Sequence, residues 1–315
     1  QPIQLSSSAQ VRVKQFDASG QTNQEHVSFF EVNDTTPPQV KSVTGIAHVP
    51  SLRIEFSESV RKADAESTRN YTFVPSIEVK SATLSEDGTS VALALAKPPS
   101  AEGHGLQLSI ANVRDISPKG NPIATKSNAL ALQKPVYVLD AMTCDGKQSK
   151  EIKLDSLPVK KGDSWTINLF ARVETELENR TIIAGFGRAE DGADGIGRYI
   201  CKFGSGVHFW SRNRDVNGRR NQLDLKAWQM LTATYDGETL RLYKNGRRIA
   251  QRNIELNDDE SIVQIAPLDP WDQQRRFNGE IRNFTIWNTA LAPDALRVLQ
   301  DSQPANEPTV PGQGQ

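Results

Sequence analysis

One loop of this 315-residue chain gathers residue types suited to gripping a polyhydroxylated ligand. Trp271 stands there with Asp269, Asp272, Arg275 and Arg276, just after Pro267 and Pro270. An indole face stacks on the apolar face of a pyranose while flanking charges exchange hydrogen bonds with hydroxyls. The competing reading is a loop tryptophan that covers the rim of its own core. The run His208-Phe209-Trp210 offers a second such point, because adjacent strand residues face opposite ways and one of Phe209 and Trp210 must point outward. Around it, Arg188–Arg220 holds seven basic residues, Arg212 among them, against four acidic ones. Arginine forks recognise carboxylate and sulfate, so an acidic glycan is conceivable; a solvated, salt-bridged loop is the plainer alternative.

Other chemistry finds less support. The segment Glu190-Asp191-Gly192-Ala193-Asp194-Gly195 presents hard oxygen ligands near turns, which makes Asp191 and Asp194 candidate calcium ligands. Catalysis is not expected, since no Gly-x-Ser-x-Gly elbow, His-Glu-x-x-His helix, phosphate loop or Cys-His pairing occurs. His26, His48, His104 and His208 lack ligand spacing, and Glu174, Glu176 and Glu178 read as a solvated edge rather than an acid–base pair. Cys144 and Cys201 fall on different strands of one domain and either form a single bridge or remain two buried thiols. With 37 basic and 38 acidic residues the net charge is −1, which gives no support to a nucleic-acid partner. The longest apolar run, Val91 to Ala96, falls far short of the ~20 residues of a membrane span.

The elements that must position these residues read as β throughout. Runs rich in Val, Ile, Thr and Phe alternate with Gly, Asn, Asp and Pro clusters. Strands are expected at Gln10–Phe16, His26–Val32, Leu52–Phe56, Ser90–Ala96, Leu106–Ala111, Ser164–Arg172, Met230–Tyr235, Leu240–Lys244 and Glu280–Trp287. Turns at Ser19-Gly20, Asp87-Gly88, Asp236-Gly237 and Asn245-Gly246 supply residues that tolerate positive φ. Only Pro293 to Gln300 reads as a helix. Asp34-Thr35-Thr36-Pro37-Pro38 makes a stiff boundary, a second lies near Gln133-Lys134-Pro135, and the Pro- and Gly-rich 304–315 reads as a linker or disordered tail.

Three family resemblances follow the same boundaries. Residues 34–133 resemble a bacterial Ig-like spacer, on DTTPPQVKSV, LRIEFSESV, STRNYTF, SEDGTSVALAL and SIANVRDISPKGNPI. Residues 134–303 resemble a laminin-G-like, concanavalin-A-like jelly roll, on SWTINLFARV, AWQMLTATYDGETLRLYKNGRRIA and FNGEIRNFTIWNTALAPDALRVL. That resemblance implies a glycan or protein ligand and, in some members, Ca2+; Arg282 stands where an acidic residue is common. It also implies that Trp165, Trp228 and Trp287 pack in the domain interior. Residues 1–33 resemble the later half of the β-sandwich appended to chitobiases and β-hexosaminidases, on PIQLSSSAQVRVKQFDASGQ, which implies a chain that begins inside a domain.

The expectation is therefore an all-β, non-catalytic, extracytoplasmic bacterial accessory region that binds carbohydrate as the C-terminal part of a larger secreted enzyme. The alternative is an adhesive or structural module that binds a protein partner. Two strands alone are marginal, so residues 1–33 are expected to pair with upstream polypeptide.

Overall fold

The computed structural model describes residues 9–30, 34–100, 105–153, 159–188, 195–204, 206–257, 262–271 and 273–304. They fall into two compact units, Gln1–Val43 with Ile54–Leu93 and Gln107–Ala129, and Thr44–Arg53 with Ala94–Leu106 and Leu130–Gln315.

The strands β1 (Ala9–Phe16) and β2 (Thr22–Phe30) form an antiparallel hairpin that is a sheet to itself. Its turn is closed by the Asp17 carboxylate, which accepts from the Ser19 and Gln21 amides at 2.9 and 3.0 Å, with Gly20 at φ +80°. Val13 pairs with His26 and Arg12 with Val27, so the apolar residues divide between the two faces. Val13 and Phe16 stay 59% exposed.

Seven strands follow: β3 (Val40–Gly45), β4 (Ser51–Phe56), β5 (Tyr71–Val74), β6 (Val79–Leu84), β7 (Ser90–Leu95), β8 (Gln107–Ile110) and β9 (Lys126–Ala129), with a short helix α1 (Lys62–Ala65). They form a sheet ordered β3-β4-β7-β6 and another ordered β5-β8-β9. Period-two burial of Leu52, Ile54 and Phe56, and of Val91, Leu93 and Leu95, reflects the strand alternation of those sequences.

The remaining strands are β10 (Tyr137–Asp145), β11 (Lys150–Lys153), β12 (Trp165–Val173), β13 (Ile182–Phe186), β14 (Arg198–Phe203) and β15 (Gly206–Trp210). After them come β16 (Val216–Gln222), β17 (Trp228–Tyr235), β18 (Thr239–Lys244), β19 (Arg247–Asn253), β20 (Ile262–Ile265), β21 (Asn278–Trp287) and the helix α2 (Pro293–Asp301). They build two six-stranded antiparallel sheets, β10-β21-β12-β17-β18-β19 and β11-β20-β13-β14-β15-β16. Alternate residues of β12 (Trp165, Ile167, Leu169, Ala171, Val173) enter the core between them. At its centre Trp165 meets Phe186 edge-on at 5.7 Å and Phe209 stacked at 5.7 Å. The opposite face of the first sheet is apolar too, and Phe170, Trp228, Met230 and Trp287 are buried there with Leu296 and Leu299 of α2. All three tryptophans are buried in cores, Trp165 between the sheets and Trp228 and Trp287 in this second core on the outer face. Among the described residues no helix is long and apolar enough to cross a membrane.

A Cys144–Cys201 bridge does not form. Both cysteines are free and buried. The side chain of Cys144 enters the core between the sheets, while that of Cys201 joins a separate cluster with Ile182, Tyr199 and Trp210. Strand alternation puts Cys201 on the outer face of the second sheet, because its neighbour Ile200 fills the inner one. Burial, helped by the Asp145 charge, pushes the Cys144 thiol up to about 11, and burial with the Asp215 charge raises Cys201 further from its ordinary value. Native protein at pH 8 is therefore expected to be inert to a thiol-specific disulfide reagent and to release two equivalents only on denaturation. A rapid native titration would contradict this placement.

Candidate functional site

The outer face of the second sheet carries two cross-strand rows. One runs Glu151, Gln264, Gly185, Tyr199, Trp210 across five strands, and the other runs Ile182, Cys201, His208, Asn217. Tyr199 lies across the sheet only because its partner is glycine. A Cβ at Gly185 would sit 2.0 Å from the Arg198 carbonyl oxygen and 2.6 Å from Tyr199 Cδ1. The Tyr199 hydroxyl is shared between the Gly187 carbonyl and Gln264 Oε1, and its ring tilts against Trp210 at 5.9 Å.

Over this floor passes the β20–β21 connection with Asp269 and Trp271. Asp269 is 0% exposed. Its carboxylate accepts from the backbone amides of Trp271, Gln274 and Arg275 at 3.1, 3.0 and 2.9 Å and from the Arg275 guanidinium at 3.3 Å. Those donors replace the water that burial removes from the carboxylate. Asp269 therefore shapes the loop instead of facing a ligand. Trp271 is half-buried and meets Trp210 edge-on at 5.6 Å. The guanidinium of Arg180, from the β12–β13 loop, lies over its ring at 5.3 Å.

The structure brings Trp271, Asp269, Arg275 and Trp210 into one cluster and disperses the other expected residues. Of the Phe209–Trp210 pair, Phe209 faces the core and Trp210 the outer cluster. His208 is buried, stacks on Phe203 at 4.9 Å, and holds Nε2 3.3 Å from Asp215 Oδ2. Arg276 donates to the Lys147 carbonyl, so the Arg275–Arg276 pair divides between two anchors. Arg212 is half-buried in the β15–β16 turn, where its carbonyl accepts from the Gly195 amide at 2.8 Å. Asp272, Asp191 and Asp194 lie outside the described residues. Sequence reasoning missed Tyr199 and Arg180. The alternation of β14 could have exposed Tyr199; Arg180 sits in a loop with no periodic signal.

The acidic run of the β12–β13 loop resolves into ion pairs. Glu174 meets Arg172 at 3.2 Å, Glu176 meets Lys202 at 3.8 Å and Glu178 meets Arg275 at 3.4 Å. Elsewhere, among the described residues, Asp34, Glu58 and Asp115 bring carboxylate oxygens within 4.8 Å of one another, a donor set of the hard-oxygen kind that suits calcium. Burial opposes ionisation of Asp115, yet hydrogen bonds from Ser117 and Asn121 hold its carboxyl below the usual range. Glu58 is raised by burial and by the charges of Asp34 and Asp115.

Two six-stranded antiparallel sheets face to face around one core define a concanavalin A-like jelly roll. Residues 145–297 match the family described as the concanavalin A-like lectin/glucanases superfamily. A comparison with curated proteins gives no match. Among solved structures, the chain is similar to domain 4 of AbnA, a GH43 extracellular arabinanase from Geobacillus stearothermophilus, in complex with arabinotriose. The identity is 17%, over 53% of this chain and 83% of that one, with a TM-score of 0.42. It is also similar to the CBM40 of the Ruminococcus gnavus IT-sialidase bound to α2,3-sialyllactose, at 14% identity over 53% of this chain and 99% of that one, TM-score 0.40. The N-terminal part of the bacterial S-layer protein SbsC matches at 14% identity over 71% of this chain and 45% of that one, TM-score 0.32.

Two expectations follow. Asp269→Ala strands three backbone amides and should cost about 2–3 kcal/mol of jelly-roll stability, read by denaturant titration; a loss below ~0.5 kcal/mol would mean water replaces the carboxylate. A raised Glu58 means that the folded form prefers it protonated, so its contribution is fully present below the unfolded value and lost as pH rises through the folded one. Glu58→Gln should then raise stability at pH 7 by ~0.5 kcal/mol, with the gain vanishing in acid. Thermal scans across pH check this, and a loss at pH 7 in calcium-containing buffer would instead mark the cluster as neutralised by a cation.

Proposed function

We propose that the jelly roll is a carbohydrate-recognition module and that Trp271 is its contact point. The observation that carries this reading is how the indole is held: half-exposed, on a loop pinned by a buried carboxylate, and braced edge-on by Trp210, which is 3% exposed. A ring already fixed loses little rotamer freedom when a sugar stacks on it, so more of the stacking energy appears as affinity. The lectin/glucanase family match over 145–297 supports the same class. The reading is non-catalytic, since Asp269 and Glu178 are engaged with the loop and Arg275 rather than set as an acid–base pair. In it, residues 34–133 act as an Ig-like spacer, and the whole is the C-terminal part of a larger secreted bacterial carbohydrate-active enzyme, working outside the cytoplasm where polysaccharide is met.

The second reading, a module that binds a protein partner, draws on the hairpin. Val13, Phe16 and Val27 are exposed on a sheet of two strands, a state that further strands from an upstream polypeptide would relieve. Glycan-array binding separates the readings. The expected result is a glycan hit weakened at least about tenfold by Trp271→Ala, consistent with the loss of one well-packed aromatic contact. Undiminished binding by that variant would move the site elsewhere, and absence of any glycan hit together with an interface to a separate protein centred on the Trp271 surface would favour the second reading.

A further inference from the structure

We infer that the Trp271 platform selects glycans that carry a carboxylate, and that Arg180 is the residue that reads it. This rests on the carbohydrate-recognition reading above and adds the class of sugar. The charge balance of the β12–β13 loop carries the argument. Its three carboxylates are taken by other cations: Glu174 by Arg172, Glu176 by Lys202, and Glu178 by Arg275, which also holds Asp269. Lys202 further donates to the Leu177 carbonyl. Among the described residues, no carboxylate or carbonyl accepts from the Arg180 guanidinium, which lies over the Trp271 ring at 5.3 Å. Stacking removes water from one face of the guanidinium and leaves its donor edges open, the state in which a planar fork matches an incoming carboxylate.

The backbone supports the same conclusion. Arg180 sits at φ +73°, a left-handed conformation that glycine or asparagine adopts at lower cost. It is held there by its amide, which donates to the Lys202 carbonyl at 2.9 Å, and by Thr181, whose hydroxyl donates to the Glu178 carbonyl at 2.9 Å. The loop thus keeps a long cationic side chain at a strained position and aims it at a half-exposed indole. Such strain is found where a geometry serves a ligand. A sugar stacked on Trp271 would bring a ring substituent alongside the guanidinium, and a carboxylate there would gain a charge-assisted contact that its ester lacks.

The test uses the full chain and an array of uronate and sialate oligosaccharides beside their methyl esters, with sulfated glycans as a further arm. Wild type is expected to bind an acid at least about tenfold more tightly than its ester, with the difference shrinking in high salt. Arg180→Gly, which suits the left-handed backbone, should bring the acid-to-ester affinity ratio close to one; Arg180→Lys should retain part of the preference. Trp271→Ala should weaken acid and ester alike. Equal binding of acid and ester by wild type would overturn the inference while leaving the glycan reading intact, as would a preference that survives in Arg180→Gly or binding confined to sulfated glycans. Failure of wild type to bind any glycan would remove the carbohydrate reading itself, and this inference with it.

Discussion

A sheet that is apolar on both faces needs cover on both, and that requirement organises the jelly roll. In the sheet containing β13, β14 and β15 the inner residues Phe186, Ile200 and Phe209 meet the opposing sheet, while the outer residues Ile182, Tyr199, Cys201 and Trp210 have no sheet above them. A loop must serve instead. Loops carry polar backbone, and a loop laid on an apolar floor needs internal acceptors for its amides. Asp269 supplies them with one carboxylate, which is why a fully buried acidic side chain sits within this loop. The first sheet meets the same requirement through α2, whose Leu296 and Leu299 pack with Phe170, Trp228 and Trp287.

The two solutions differ in what they leave at the surface. A helix covers its sheet with a closed stripe, and Trp228 and Trp287 are sealed beneath. The loop covers its sheet with a single half-buried indole, over whose ring the Arg180 guanidinium lies. A half-buried indole on the second sheet, rather than the first, thus comes out of the packing. The register of the rows gives it rigidity: Gly185, Tyr199 and Trp210 lie side by side on three strands, and the glycine leaves the space that the tyrosine ring occupies.

Much of this was legible where the chain alternates. β12, β17, β18 and β21 fall within a residue or two of the expected strands, and α2 where Pro293 announced it. β13 was not foreseen: Ile182, Ile183, Ala184, Gly185 and Phe186 are all buried, so period two disappears from the sequence. Within the site, Trp271 is marked by its place in a loop just after two prolines, and Trp210 by strand parity. The role of Asp269 depends on amides that converge only once the loop has folded, and that of Arg180 depends on a left-handed backbone and on where three nearby glutamates turn. Neither dependence leaves a mark at the level of residue type. The cysteines mislead for a related reason: both sit on strands of one domain, but they serve different cores.

The edge-on contact of Trp210 and Trp271 gives the molecule an optical property. Two indoles 5.6 Å apart and inclined at 71° are close enough for their excited states to couple, and their surroundings are unlike, one sealed and the other half open. The pair should therefore contribute an exciton signal in circular dichroism whose sign and size follow the angle between the rings. Any occupant that shifts the outer ring by a few degrees would register in that signal without a label.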